Sequence, residues 1–508
     1  MANLTPELEA ERKKICKIAK DAGLDCFETV FELITYDQIS QFAAYGGFPV
    51  RYPHWKFGME YEHLSKSYEY GLSKIYEMVI NTDPCYAYLM EGNAMMDQKL
   101  VMAHVYGHCD FFKNNVWFGK TNRKMMDQMA NHATRVRRYV DRYGVETVEG
   151  FIDTCLSLEG LIDRYSPYVE KSILPKESRA PDKDDSGMLL KVNRSYMRDY
   201  INPPEFVAEQ KRKAVEQSQQ AQKFPAEPEK DILKFLIHNA PLSDWQQDIL
   251  SIIRDEAYYF SPQGMTKTMN EGWASYWHSK LMTEKILDDS EIIDFADHHS
   301  GTMAMAPNGY NPYKVGIELL RDIEERWNKG QFGRDWELCD DVRERKNWNK
   351  ETNLGREKIF EVRKVYNDVT FIDEFMTEEF CVRNKMFVYK FNKKTNKFEV
   401  DTRDFKAIKA QLLFHMTNFG QPIIRIEDAN FENRGELLIS HMHEGIDMQP
   451  DYMTETLKNL YKIWSRPVNL TTAMDGEGQL FRFDGKEFKN YKLTQGPNPN
   501  PSNTETGS

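Results

Sequence analysis

Several large classes of protein are excluded by what this sequence lacks. Cysteine is scarce: Cys16, Cys26, Cys85, Cys109, Cys155, Cys339 and Cys381 are scattered, odd in number and form no C-x-x-C pair. Such a set is not a disulfide framework and predicts a chain kept in a reducing compartment. No stretch approaches the roughly 18 consecutive apolar residues of a membrane-spanning helix. The opening MANLTPELEAERKKICKIAKDAG has no apolar core of the signal-peptide kind, so a cytoplasmic location is expected. Excess positive charge is also missing. Lys and Arg number 67 against 79 Asp and Glu, for a formal net charge of −12. That balance argues against an electrostatic nucleic-acid binder, because phosphate contacts need clustered Lys and Arg. The basic group Arg135, Arg137, Arg138 and Arg142 is interrupted by Asp141 and reads as a solvated face or an interface. There is no G-x-x-x-x-G-K-[ST], no G-x-G-x-x-G and no G-x-S-x-G, which removes the P-loop, the dinucleotide fingerprint and the nucleophile elbow. Internal repeats are absent too.

What is present is the composition of a globular protein. Apolar residues make up 41%, charged residues 29% and aromatics 13% of 508 residues. At roughly 100–200 residues per domain, that length predicts about two to four domains. Helical patterning fills the first part. Thr5 before Pro6 opens a helix, and a helical pattern runs from Leu64 to Met90 with a break at Asp83-Pro84. AMMDQKLVMAHVYGHCDFFK over residues 94–113 is a strong helix candidate, and another runs from Lys124 to Tyr143 before Gly144. The aromatic, turn-rich segment from Tyr45 to Glu62 reads as buried irregular structure beside a cleft. Residues 174–230 are charged, Pro-rich and Gln-rich and read as an exposed excursion. Beyond Asp368 the period changes. MFVYKFN, KFEVDT, PIIRIED, GELLISHMH, PVNLTTAM and QLFRFDG read as short strands, with helices at 403–414 and 452–464. The predicted fold class is therefore α+β. A large, mainly helical domain spans 1–367, a smaller α+β domain with a short mixed sheet spans 368–490, and a disordered tail spans 491–508.

Chemistry concentrates in two segments. His104 and His108 stand four apart on the predicted helix, so both imidazoles share one face and suit two ligands to one metal. In the familiar zinc-protease motif Glu follows the first His; here that position is Val105, and the usual general base is missing. Asp97, two turns earlier, is a candidate to orient a histidine or to act as base. The second segment is MNEGWASYWH, residues 269–278. Glu271 and His278 are seven apart and share a helical face, and Gly272 permits close approach of another backbone. Glu271 is the candidate third ligand to a divalent metal such as zinc. His278 is the candidate fourth ligand or a proton carrier, and Glu256 a candidate acid or base. Each has a structural alternative. The His pair can be satisfied by hydrogen bonds in a packed core, and Thr268-x-x-Glu271 fits a capping box. His278 can be a core histidine, and Glu256 the charged face of an amphipathic helix. Asp297-His298-His299 reads as a polar helix end, His441 and His443 as a surface strand face, and Asn311-Pro312 as a helix start.

YPHWKFGMEYE, DQKLVMAHVYGHCDFFKNN, RDEAYYFSPQGMTKTMNEGWASYWHSKLM and TNFGQPIIRIEDANFENRGELLISHMHEGIDM together resemble the stage V sporulation protein R family, in order, from about residue 5 to about 475. The resemblance implies a bacterial cytoplasmic protein linked to spore cortex assembly or, in bacteria that make no spores, to stress or stationary phase. It implies protein partners, a serine protein kinase and a von Willebrand-A-like protein. It implies no reaction and no ligand set. Two functions follow from the residues: a metal-dependent hydrolase-like enzyme built on His104, His108 and Glu271, or a non-catalytic regulator or scaffold in which the His pair is structural.

Overall fold

A computed structural model of the chain describes residues 4–69, 77–169, 223–305, 309–392 and 395–493, with isolated residues between 203 and 212. Most of the 174–230 excursion lies outside the described residues, as does the expected tail beyond 493; the tail's first residues, Tyr491 and Lys492, are not disordered but end the strand Phe488–Lys492, paired with its neighbour. The fold is α+β, as expected. Two compact units divide it: Met1–Phe151 with Asp255–Gln421, and Ile152–Arg254 with Pro422–Ser508.

The first unit is mainly helical. Its centre is the helix Met95–Asn114, which carries the His pair. It is apolar nearly all round, with buried residues from Met96 through Phe112 on every face. That is the pattern of a core helix, not of a surface one. The helices Lys267–Leu281 and Pro312–Asn328 share its hydrophobic core. A small sheet lies against it, made of β1 (Thr29–Ile34), β2 (Glu77–Ile80) and β3 (Cys85–Met90) in the order β1-β3-β2. β1 runs parallel to β3 and β2 antiparallel, so β2 is an edge. The helical pattern expected up to Met90 stops at Glu69; the next described residues, Glu77 onward, are strands. EMVI and CYAYLM are short apolar runs flanking the Asp83-Pro84 turn, and runs of that length do not distinguish helix from strand by periodicity.

The change of period at Asp368 is real but does not end the unit. The helices Asp368–Phe375 and Glu378–Arg383, the hairpin β4 (Val388–Asn392) and β5 (Lys397–Thr402), and the helix Phe405–Met416 follow. Phe371, Ile372, Phe375, Phe380 and Ile408 from these elements enter the same core as the His-pair helix. Burial of those side chains ties the segment to the first unit as far as Gln421.

The second unit holds the mixed sheet. Its strands are β6 (Ile424–Phe431), β7 (Glu436–His441), β8 (Val468–Met474), β9 (Glu477–Phe483) and β10 (Phe488–Lys492), in the order β10-β9-β8-β7-β6. Only β7 and β8 pair in parallel, and the helix Pro450–Trp464 supplies the crossover that parallel pairing needs. The helix Ile232–Asn239 joins this unit through Phe235, whose ring lies 6.0 Å from Trp464.

Candidate metal centre

The close approach of two helices builds the site. Gly107 lies between the two histidines, and a Cβ there would sit 2.7 Å from Ala274 Cα. The backbones of the His-pair helix and the Lys267–Leu281 helix therefore touch at this point. Gly272 plays the same part on the other side, where a Cβ would meet Gly316 Cα at 2.5 Å. Only glycine fits such crossings, and together they press Glu271 toward the His pair. The capping box suggested by Thr268 and Glu271 does not form. Thr268 Oγ1 bonds the Tyr310 hydroxyl at 2.8 Å. The start of the helix is instead held by Asp368, which accepts from the backbone N–H of Thr268 at 2.8 Å and of Met269 at 2.9 Å. Glu271 is thereby left to face inward.

His104, His108, Glu271 and Glu77 converge, and one ligand atom from each lies within 4.8 Å of all the others. Glu271 Oε2 stands 3.5 Å from the Nε2 of both histidines. Glu77 Oε1 stands 3.1 Å from His104 Nε2 and 3.8 Å from His108 Nε2. Behind the cluster, His108 Nδ1 lies 2.9 Å from Asn270 Oδ1. An amide oxygen can only accept, so His108 donates from Nδ1 and presents Nε2 to the cluster, the nitrogen a metal would take. His104 Nδ1 lies 2.6 Å from His278 Nδ1. Burial and the neighbouring His104 push the His278 pKa well down, so His278 is neutral and accepts from His104. Burial also works against a charge on His104, yet Glu77 and Glu271 outweigh it and raise its pKa to about 10. Glu77 is held below the usual carboxylate range in turn: burial opposes its charge, and the two imidazoles favour it. The pocket is thus built to hold positive charge. His104 Nε2 and Glu271 Oε2 are buried and have these ionic contacts but no well-aligned hydrogen bond among the described residues. Buried polar atoms normally have one. The donor set of two imidazoles and two carboxylates suits a first-row divalent cation.

The other residues singled out in the sequence lie elsewhere. His278 stands behind His104 instead of in the cluster, and its Nε2 lies 3.3 Å from His299 Nδ1. Asp97 Oδ1 lies 2.9 Å from His298 Nδ1 on the wall of the adjoining cleft. Glu256 is buried against Arg51 at 2.5 Å and His132 at 3.1 Å, which commits its carboxylate to a structural ion pair. Glu77 is the member that sequence reasoning missed. It opens an edge strand with no neighbour of chemical note, and no spacing rule links it to the His pair. The cluster is reached from two sides. A cleft of about 960 Å³ is lined by Glu77, His104, His278 and Tyr313, and one of about 470 Å³ by Glu77, His108, Glu271 and Tyr313.

Fold and cluster define an α+β protein with a two-histidine, two-carboxylate group able to hold a metal ion. The family model for SpoVR like protein matches residues 3–421, and that for the SpoVR-like C-terminal domain matches residues 422–475. The chain belongs to the SpoVR family. The boundary between the two matches falls where the compact unit ends, at Gln421. The chain is similar to a protein of Escherichia coli K12 printed as "Uncharacterized protein YcgB", with 27% identity over 500 residues covering 91% of each chain. No solved structure matches. Among the described residues no helix is long and apolar enough to cross a membrane.

Proposed function

We propose that the protein is a metal-dependent hydrolase of amide or similar carbonyl bonds, with His104, His108 and Glu271 as ligands and Glu77 as the base. One observation carries the reading: ligand atoms of His104, His108, Glu271 and Glu77 lie within 4.8 Å of one another in a buried pocket that favours a cation. A divalent metal, such as zinc, would supply Lewis-acid polarisation of the carbonyl and of water. Glu271 is equidistant from both imidazoles, as a shared ligand would be. Glu77 lines both clefts, so its carboxylate meets solvent and substrate. With His104 neutral as a ligand, the imidazolium charge that holds Glu77 low in the metal-free site is gone, and Glu77 takes a proton from water as the water oxygen bonds the carbonyl carbon, then returns it to the leaving nitrogen as the C–N bond breaks. Tyr313 lines both clefts too, and burial beside Glu271 and Glu77 keeps its phenol protonated and able to donate to the developing oxyanion. Glu77 thus takes the role left open by Val105. A cytoplasmic place, a link to the spore cortex or to stress, and kinase and von Willebrand-A-like partners follow from the family resemblance and belong to this proposal.

The test is turnover. Protein stripped by chelator and reloaded with zinc, manganese, iron or cobalt is assayed on a pool of blocked dipeptides. Cleavage by the loaded wild type and none by Glu77→Gln is the expected result. Stoichiometric metal with no cleavage of any pool member would favour the regulator or scaffold instead.

A further inference from the structure

A second cavity adjoins the cleft of Glu77 and His104 within the same unit. It encloses about 630 Å³, and its far wall carries the rings of Phe387, Tyr389, Phe398 and Phe419. Lys267, Met305, Gly309, Tyr310 and Pro312 line both spaces, which makes them one continuous cleft. One end presents Glu77 and His104, and the other is aromatic.

The aromatic end is held by strained backbone. Asn418 and Phe419 have φ of 49° and 58°, and Gly420 follows at 70°. Left-handed backbone at two successive non-glycine residues is costly and persists where the surroundings fix it, often at ligand sites. The turn lays the Phe419 ring over Gly264, where a Cβ would sit 2.6 Å from the ring's Cζ and push the ring aside. Even so, Phe419 stays 38% exposed, facing the cavity. A bulky apolar side chain kept open by a strained turn is poor packing but a good binding wall.

Two of the polar groups around it are ammonium groups, beside Thr268, Tyr310, Gln411 and His415. Lys267 sits where the two spaces meet and Lys385 on the wall of the aromatic end; both are exposed, and neither forms an ion pair among the described residues. The carboxylate on this wall, Asp368, is committed to the backbone N–H groups of Thr268 and Met269. An apolar cavity with a few convergent polar groups has the composition of a small-ligand site. Rings plus uncompensated ammonium groups select an anion with an apolar body.

We propose that this cavity is the specificity subsite of the cleft: it takes the aromatic or apolar side chain of a short peptide or N-acyl amino acid whose carboxylate pairs with Lys267. The hydrolytic reading is needed only to say that the ligand's acyl bond points toward Glu77 and His104. The subsite itself requires no metal.

The test is calorimetric titration of the full chain, held metal-free by chelator, with N-acetyl-phenylalanine, its amide and N-acetyl-glycine. The carboxylate is expected to bind about tenfold tighter than the amide, the value of one charge-assisted hydrogen bond. N-acetyl-glycine should bind at least about tenfold more weakly than N-acetyl-phenylalanine, since it leaves the aromatic wall unfilled. Lys267→Met should equalise carboxylate and amide, Lys267→Arg should keep the preference, and Phe419→Ala should weaken both phenylalanine ligands. Thermal melting checks that each variant folds, and the comparison of the three ligands on the wild type needs no variant. Equal binding of carboxylate and amide by the wild type, no heat with any ligand at millimolar concentration, or an undiminished preference in folded Lys267→Met would overturn the proposal. Metal uptake is measured separately, by elemental mass spectrometry of reloaded protein: ligand binding without it would remove the hydrolytic reading and keep the subsite, and metal uptake without ligand binding would do the reverse.

Discussion

Two histidine pairs, His104 with His108 in the first unit and His441 with His443 in the second, are opposites. His104 and His108 lie one turn apart on a buried helix, with their Nε2 atoms facing Glu77 and Glu271. His441 closes β7, and His443 lies just past the strand. Their rings are 5.8 Å apart, but each is satisfied by itself: His441 Nδ1 by the Thr472 hydroxyl at 2.8 Å, His443 Nε2 by Asp447 at 2.8 Å. Among the described residues, the first pair belongs to a group of four that could hold a metal ion, and the second belongs to none. Spacing brings two imidazoles to one side of an element. What the rest of the fold places opposite them decides whether they converge on a ligand or settle into separate hydrogen bonds.

The largest expected effect breaks that contrast directly. Metal content by elemental mass spectrometry should fall from near one equivalent to none in His104→Ala/His108→Ala, with the melting transition retained. The matching His441→Ala/His443→Ala protein should keep its metal. Equal loss in both would mean that the difference drawn here is wrong. Next in size is Glu77→Gln. It should lower kcat by about 10²–10⁴-fold while the metal stays bound, as expected for a lost general base. Glu271→Gln should lose metal as well as turnover, and a Glu77→Gln protein at full activity would move the base elsewhere.

A smaller effect concerns the glycine crossing. Gly107→Ala forces a methyl group against Ala274 and should cost about 1–3 kcal/mol in denaturant unfolding. Gly58→Ala, with open space around it in the helix Trp55–Glu69, should be neutral or stabilising by up to about 1 kcal/mol. The smallest effect belongs to the second pair. Burial, then the neighbouring His443, lowers the His441 pKa to about 4. The unfolded chain therefore binds this proton first, at its ordinary pKa near 6.5. Stability should fall as pH drops from about 6.5 toward 4, because the unfolded state binds more protons over that window. His441→Gln should flatten that slope in pH-dependent melting, and an unchanged slope would assign it to other groups.

Much of this was legible in the sequence, for physical reasons that vary by residue. The one-turn spacing of His104 and His108 fixes a shared face whatever the tertiary fold. Gly272 announced a close approach, and Asn311 a helix start, which its side chain confirms by accepting from the N–H of Tyr313 and Lys314. Six of the seven strands described after residue 385 followed from their alternation and bounding turn residues; the last, Phe488–Lys492, did not. Depth was not legible. His278 shares a face with Glu271, yet the helix carries it past the cluster to the back of His104. Glu77 was invisible because an edge strand brings it in from a separate segment, and pairing across a sheet leaves no spacing in the chain. The extent of the first unit was hidden for the same reason: Phe371 and Phe380 reach its core by tertiary packing, which the change of period at Asp368 does not reveal.

The most direct test of the central claim is a crystal structure of protein soaked in a divalent transition metal, with data collected on both sides of that metal's absorption edge. One anomalous peak bounded by His104, His108, Glu271 and Glu77, and none at His441 and His443, is the predicted result. A clean map at the four-residue cluster from crystals that hold the metal elsewhere would contradict it.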